Sequence, residues 1–282
     1  MADWGPWVGE ASGGAVPYSA VGMPITPSVS ANTKGSFNTV SATDTARGDG
    51  LRLLIDRLGD VSVGSIRTYL VDVNIGGQNL INNLMLCAPV QALNISQRMT
   101  MMECFFPVMV PSGNAVQFRA QCNVASANGI YVRAERFSSG APPAGSVVDT
   151  YGADTVNSKG TTITALSTAT CNADYGSWAQ LSVSTNRIKA LVVAVGHGQQ
   201  DLSLVTDCWY EIAIGVGAEG QEQPIALITG QTNSYSRVPM PGLVGPFCVD
   251  VPPGSRLAAC IRKTPVSSSS QRSLDVVAYG IR

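Results

Sequence analysis

His197 is the only histidine in the chain, and it is the first residue to test for catalytic chemistry. It lies in Val195-Gly196-His197-Gly198-Gln199, where the glycines on both sides predict a solvated turn. A serine–histidine–aspartate hydrolase would need this residue, yet no G-x-S-x-G motif accompanies it. A histidine-based metal site would have to recruit cysteines or carboxylates. The sequence therefore predicts no catalytic triad and no metal site.

Paired carboxylates are a second arrangement that could do chemistry, since glycoside hydrolysis uses two. The candidates are Asp72, Glu103, Glu135, Asp207, Glu211 and Asp250. Most of them alternate onto the polar faces of predicted strands, so we expect solvated surface residues. The turn Ile75-Gly76-Gly77-Gln78 follows a strand, but no helix follows it, so the phosphate-binding arrangement is missing. We predict that the chain is not an enzyme and uses no cofactor.

The chain has seven cysteines, an odd number, and no C-x-x-C spacing. Most are predicted to be small buried apolar residues. Alternation places Cys248 and Cys260 on the outer face, on either side of a turn. Strands paired there as a hairpin would bring the two sulfurs within disulfide reach. Two unlinked thiols at a surface or interface are the favoured alternative, and the sequence does not decide between them.

Alternating apolar residues predict β-strands throughout the chain. In Tyr69–Ile75, every second residue from Tyr69 is apolar, and Leu70, Asp72 and Asn74 lie on the other face. This period of two indicates antiparallel strands that are half buried. Clusters of Gly, Pro, Asn and Ser separate the strands, as in a β-sandwich.

One strand and turn occurs twice, as Phe106–Gly113 and Phe247–Gly254, at an offset of 141 residues. Pro111 and Pro252 end their strands, and Gly113 and Gly254 supply a backbone angle that other residues resist. Matches at this offset over much of each half indicate an internal duplication. The predicted organisation comprises an extended arm (1–20), two jelly-roll-like antiparallel β-sandwiches (21–138 and 150–282) and a Pro- and Gly-containing linker (139–149).

Five aromatic residues are candidate interface positions: Trp4, Trp7, Tyr131, Trp209 and Tyr279. Two of them lie in the Gly- and Pro-rich arm, where tryptophan is costly in water and is expected to dock on its own domain or on a neighbouring subunit. Trp209 precedes an inward-facing tyrosine and so points outward. Tyr131 and Tyr279 occupy equivalent outward positions on the last strand of each copy. We expect these side chains to pack against a neighbouring domain or subunit, or to stack on sugars.

Composition restricts the partners. Charged residues make up 13% of the 282-residue chain and the net charge is −1, which favours association over free diffusion. Without a basic run, nucleic acid binding is not expected. No window is apolar enough for a membrane span, and the first residues lack the features of a signal peptide. We expect a protein that stays in the cytoplasm or is released by lysis, rather than one secreted by a Sec route.

Several segments resemble particle proteins of tailed bacteriophages. They are Ala31–Phe37, Leu70–Gly76, Val251–Ala259 and Leu274–Gly280. In that group, small β-sandwich modules serve singly or in tandem as decoration or fibre components. The resemblance implies a non-catalytic virion protein, assembled in the host cytoplasm, which binds other virion proteins and itself as a capsid decoration or a tail, collar or fibre component. The alternative is a carbohydrate- or receptor-binding module, with a host-surface glycan as its ligand.

Overall fold

The computed structural model describes residues 11–12, 23–41, 48–56, 67–88, 102–127, 129–137, 142–166, 174–197, 208–232, 239–240, 242–263 and 273–282. Every regular element in these ranges is a β-strand, which confirms the all-β prediction. The first-half strands are β1 (Ala11–Ser12), β2 (Met23–Ile25), β3 (Asn38–Ser41), β4 (Gly50–Asp56), β5 (Arg67–Ile75), β6 (Gln78–Ala88), β7 (Met102–Phe106), β8 (Val116–Cys122) and β9 (Ile130–Phe137). The second-half strands are β10 (Val148–Tyr151), β11 (Thr161–Thr164), β12 (Ala179–Ser182), β13 (Ile188–His197), β14 (Cys208–Val216), β15 (Gln223–Thr232), β16 (Pro239–Met240), β17 (Leu243–Val251), β18 (Leu257–Lys263) and β19 (Ser273–Ile281).

These strands form four antiparallel sheets. Sheet I has the order β9-β4-β7, with β1 and β2 both paired to β9, and sheet II has the order β3-β8-β5-β6. Sheet III has the order β19-β13-β17, with β10 and β11 both paired to β19. Sheet IV has the order β12-β18-β14-β15-β16. The arrangement is consistent with two β-sandwiches, here called the first module (sheets I and II) and the second module (sheets III and IV).

The inward faces follow the predicted alternation. Tyr69, Val71 and Val73 of β5 are buried in one hydrophobic cluster. Tyr210, Ile212 and Ile214 of β14 are buried in a second cluster. Burial of alternate residues on facing sheets is the main source of stability in such a fold.

Strand pairing repeats at the offset that the sequence indicates. Asn38 pairs with Phe118 where Ala179 pairs with Ala259, and Tyr69 pairs with Cys122 where Tyr210 pairs with Lys263. Each of these four positions in the second module lies 141 residues after its counterpart.

The repeated turn also has the predicted geometry. Gly113 and Gly254 have φ angles of 77° and 81°, in the left-handed region that favours glycine. Pro252 directly follows the last residue of β17. The glycine prediction is confirmed in both copies. The proline prediction is confirmed in the second copy alone, because β7 of the first copy already ends at Phe106, five residues before Pro111.

The two modules share a core at their junction. The outer face of sheet III places Val192, Val277 and Tyr279 in the same hydrophobic cluster as the interior of the first module. Gly196 allows close approach, because a Cβ there would lie 2.9 Å from Cε of Met85 on β6. Sheet III therefore packs against the first module beside strand β6.

This junction corrects the expectation that each strand is half buried. All nine residues of β5 are buried, including Leu70 at 0% exposure and Asp72 at 2%. Alternation correctly assigned them to the outer face of sheet II, but Lys34 and Arg119 of the first module lie against Asp72, and the second module contacts the same face. Gln121 on the same face donates from Nε2 to the Thr155 carbonyl of the second module at 2.7 Å.

The segment that joins the modules is attached to the first one. Ala144 N donates to Pro107 O at 2.9 Å, and Met109 N donates to Gly145 O at 2.8 Å. Strand β10 begins at Val148, within the predicted linker, and pairs with β19. The described residues form no helix, so none of them belongs to a helix that could span a membrane.

Candidate functional site

Tyr279 lies at the centre of the module junction. Its hydroxyl accepts a hydrogen bond from Met85 N at 2.7 Å and donates one to Asn83 O at 2.9 Å. Its ring meets Phe106 edge-on, with the centroids 6.0 Å apart, and the side chain is 0% exposed. Its outward face is thus occupied by the first module of the same chain.

These contacts close a sheet edge. Strand β6 is the last strand of sheet II, so no described strand pairs with its outer backbone groups. Tyr279 satisfies two of them, and Thr150 Oγ1 donates to Asn82 O at 2.6 Å. An edge strand with free backbone groups is a template for pairing with another chain. The second module removes that template from the first.

Tyr131 is not at the position equivalent to Tyr279, which corrects the sequence analysis. Tyr131 pairs with Asp56 near one end of the β4–β9 ladder. Glu135 lies four positions further along the same ladder and pairs with Arg52. Tyr279 pairs with Val192, and the register makes Glu135 its counterpart. Tyr131 is half buried, and it also pairs with Pro24 of β2.

Trp209 is on the outer face of sheet IV, as predicted, and 62% of it is exposed. Directly across on β15 lies Gln231. Leu227, on the same face of β15, is 54% exposed. Leu227 lies opposite Ala213, four positions along the ladder from the Trp209–Gln231 pair, so the two exposed apolar side chains share a face but are not adjacent. We call the outer face of β14 and β15 the Trp209 face.

A polar group lies on the Trp209 face, where Glu211 of β14 pairs with Arg262 of β18. The Tyr175 hydroxyl donates to Glu211 Oε1, and Arg262 Nη2 lies 2.8 Å from the same oxygen. The Arg262 guanidinium lies over the Tyr175 ring, with Cζ 5.0 Å from the centroid. Burial and the neighbouring Glu211 carboxylate raise the pKa of Tyr175 to about 12. Tyr175 therefore remains a hydrogen-bond donor at neutral pH, and the three side chains hold each other in place.

The remaining aromatic candidates, Trp4 and Trp7, lie outside the described residues. The structure brings none of the other three together: Tyr131 is on sheet I, Tyr279 is in the junction and Trp209 is on sheet IV. Of these three described candidates, only Trp209 is highly exposed.

Asp72 is buried, not solvated, which corrects the sequence analysis. Its Oδ1 accepts from Lys34 Nζ at 2.8 Å and from Asn83 N at 2.9 Å, and its Oδ2 accepts from Arg119 Nε at 2.8 Å. Burial alone would raise the pKa of Asp72, but these hydrogen bonds outweigh it and lower the pKa. The network gives Lys34, in one of the segments that carry the family resemblance, a structural role.

The other carboxylates do not form a common site in the described chain. Glu135 is buried against Arg52 and Arg133, at 3.2 and 3.1 Å, so it too is not the solvated residue that was expected. Glu103 and Asp250 have side-chain exposures of 51% and 69%, and Asp207 lies outside the described residues. Among the described residues, no group of three or more His, Cys, Asp or Glu side chains is placed to hold a metal ion.

His197 is also buried, at 4% exposure, and the predicted solvated turn is wrong. Strand β13 continues through His197, and its backbone N–H donates to Cys87 Sγ at 3.2 Å. Two flanking glycines do not prevent a strand when a second sheet packs against it. Here Gly196 allows the first module to approach.

Asp275 is a buried carboxyl that the sequence analysis did not single out. It is 1% exposed and accepts a hydrogen bond from Thr162 Oγ1 at 2.7 Å. Burial raises its pKa to about 6, although the bond from Thr162 opposes the shift. The signal was available, since Asp275 alternates with Val277 and Tyr279, and a face with two such neighbours is a candidate for burial.

Cys248 and Cys260 are not on a hairpin. Cys248 is exposed on β17 of sheet III, whereas Cys260 is buried on β18 of sheet IV, and both are free thiols. The turn between them passes from one sheet to the other, so the hairpin alternative is excluded and the favoured alternative of two unlinked thiols holds. Cys260 is buried, however, and not at a surface. Burial raises the pKa of Cys260 to about 12.

Comparisons with known proteins add no family. No family model matches the chain, and no curated protein matches it. A solved structure that aligns is the crystal structure of tripeptidyl peptidase 2 (TPP II), with 10% identity and a TM-score of 0.23 over 92% of this chain. The chain spans 22% of that protein's length. A likeness this weak carries no argument about fold or activity.

Proposed function

We propose that this chain is a non-catalytic structural component of a tailed-phage particle, acting by association with other virion proteins and with itself. The particle type rests on the segments that resemble tailed-phage proteins, one of which contains Lys34 of the buried Asp72 network. Location in the virion, as a capsid decoration or a tail, collar or fibre component, is part of the proposal.

The observation that carries the association role is the Trp209 face. Trp209 and Leu227 are 62% and 54% exposed on neighbouring strands of a regular sheet. At roughly 25 cal/mol per Å² of apolar surface, leaving these side chains in water is unfavourable, and a partner would remove that cost. The sheet beneath is rigid, because its inner residues belong to the second core.

We also propose that the two modules arose by internal duplication and that each has a jelly-roll-like topology. Support comes from the equal pairing register of β3–β8 and β12–β18 at the offset of 141 residues. The module junction would then have arisen after the duplication, because its apolar side chains lie on sheet III while the same face of sheet I carries Arg52, Arg133 and Glu135.

Binding to particles tests the function directly. Purified chain is added to phage particles that lack it, and bound copies per particle are counted by quantitative mass spectrometry. We expect saturable binding that Trp209→Ala weakens, while Val156→Ala, a change at a 75% exposed loop residue, leaves it unchanged. The absence of saturable binding, together with the absence of the chain from purified native particles, refutes the proposal.

A second candidate function is glycan binding, which the polar group on the Trp209 face favours. An exposed tryptophan ring beside amide, carboxylate and guanidinium groups offers a stacking surface and hydrogen-bonding groups for sugar hydroxyls. A glycan array tests it. Specific binding that Trp209→Ala abolishes would support recognition of a host-surface glycan, and an array without specific signals would exclude the glycans it carries.

A further inference from the structure

Strand β15 is an open edge of sheet IV along most of its length. It pairs with β14 on one side, and on the other side β16 covers only Gln231 and Thr232. Between Ile225 and Gly230 no described strand pairs with that outer side. Half of the backbone N–H and C=O groups of an antiparallel edge strand point outward. This segment therefore has a row of backbone groups without a partner strand among the described residues.

The first module shows how this chain treats the corresponding edge. Strand β6 holds the same place in sheet II, and it is capped by Tyr279 and Thr150. Residues Leu84–Cys87 of β6 are buried on both faces, whereas exposed and buried residues alternate along β15 from Ala226 to Gln231. The edge that the second module closes on β6 has no corresponding cover on β15 among the described residues.

We propose that β15 pairs antiparallel with β15 of a second copy of this chain, joining two sheets IV into one continuous sheet. The proposal deepens the association role proposed above and rests on it, since it names the surface by which the chain would bind itself. Pairing by strand addition derives its affinity from main-chain hydrogen bonds.

The chemistry of β15 favours a second copy as the occupant. Its sequence, Gln223–Thr232, contains no charged residue, so it lacks the lysines with which edge strands commonly prevent such pairing. An antiparallel pair of identical strands is self-complementary about a two-fold axis and closes as a dimer. Pro224 has no N–H, which confines the pairing to the segment from Ile225 onward.

The exposed side chains agree with this geometry. Leu227 lies in the middle of the open segment, and side chains opposite each other on paired strands are about 5 Å apart. Pairing would bury the two copies of Leu227 beside each other or beside their near neighbours. The face also carries a balanced charge pair, Glu211 with Arg262, so two copies bring no excess of either charge to the axis.

The test is the oligomeric state of the full chain. Sedimentation velocity over a range of concentrations should show a dimer for the wild type. Leu227→Lys and Thr229→Lys, both at exposed positions of β15, should each raise the dissociation constant at least about tenfold, which corresponds to ~1.4 kcal/mol. Val156→Lys is the matched control, since it adds the same charge at an exposed loop position, and it should leave the constant unchanged.

Hydrogen exchange supplies a second measurement that does not depend on variants. About half of the amides between Ile225 and Gly230 should gain protection as the dimer forms, because alternate N–H groups enter the new ladder. A monomer at all concentrations, a dimer whose β15 amides exchange as in the monomer, or a dimer insensitive to both lysine variants overturns the proposal.

The dimerisation experiment and the particle-binding experiment can fail independently of each other. A β15 dimer that fails to bind particles refutes the virion function and leaves the pairing intact. Binding to particles by a chain that stays monomeric refutes the pairing and leaves the function intact, and points to a strand or surface of another virion protein as the occupant.

Discussion

Removal of one hydroxyl at the module junction should destabilise the whole chain. In Tyr279→Phe the ring keeps its contact with Phe106, but Met85 N–H and Asn83 C=O lose their partner. Tyr279 is 0% exposed, so water does not replace it without opening the junction. An unsatisfied buried polar group costs about 1–3 kcal/mol. With two such groups, we expect the free energy of unfolding to fall by about 2–4 kcal/mol.

Urea unfolding followed by far-UV circular dichroism measures this loss through the midpoint and slope of the transition. Tyr131→Phe is the control, because it removes the same atom from a side chain that is half buried, where solvent can reach groups that lose a partner. The control should change stability by less than about 0.5 kcal/mol. Hydrogen exchange at Met85 should accelerate in Tyr279→Phe. A loss below about 1 kcal/mol, or one equal to that of the control, would refute the assigned role of the hydroxyl.

Three further outcomes follow from buried and exposed groups. Asp72→Asn should cost about 3 kcal/mol of stability, because it leaves Lys34 and Arg119 without their buried counter-charge. The control Asp250→Asn, in an exposed pair with Arg187 at 3.0 Å, should cost less than about 0.5 kcal/mol. Equal losses in chemical denaturation would contradict the burial argument. Burial raises the pKa of Asp275 in the folded chain to about 6, above the ordinary value for an aspartate. Its contribution to stability should therefore be largest at low pH and be lost as pH rises from about 4 through 6, by up to about 3 kcal/mol. Asp275→Asn should remove that part of the pH dependence, and an unchanged pH profile of stability counts against it. Among the five thiols described, only Cys248 is exposed, so native alkylation followed by peptide mapping should label Cys248 first, and labelling of the buried thiols at the same rate would be inconsistent with the fold.

The inner faces of the sheets were predictable from the sequence, because period-two alternation reports which residues share a face. Tyr69, Val71 and Val73 lie in the core as expected, and the φ angle of Gly113 follows from its place after Pro111. Both features depend on residues that are close in the chain. Local steric rules and side-chain period are enough to assign them.

The outer faces were not predictable in the same way. Leu70 and Asp72 were placed on the correct face, but their burial depends on segments that are distant in the sequence, such as Lys34 at 38 residues from Asp72. His197 was assigned to a turn because its glycine neighbours were considered without the sheet that packs on them. Nothing in Cys248 and Cys260 indicated that their strands belong to different sheets, since a turn between strands has the same composition in a hairpin and in a crossover between sheets.

The edge cap on β6 also determines when the first module can be completed during synthesis. Tyr279 lies 194 residues after Met85 in the chain, so the ribosome must release nearly the whole second module before that hydrogen bond can form. Until then, Leu70 and Met85 face solvent and β6 is available to other nascent chains. Non-local contacts of this kind slow folding and expose strands to mispairing. The first module to be translated is thus among the last parts to be finished, and its safe folding depends on how quickly the second follows.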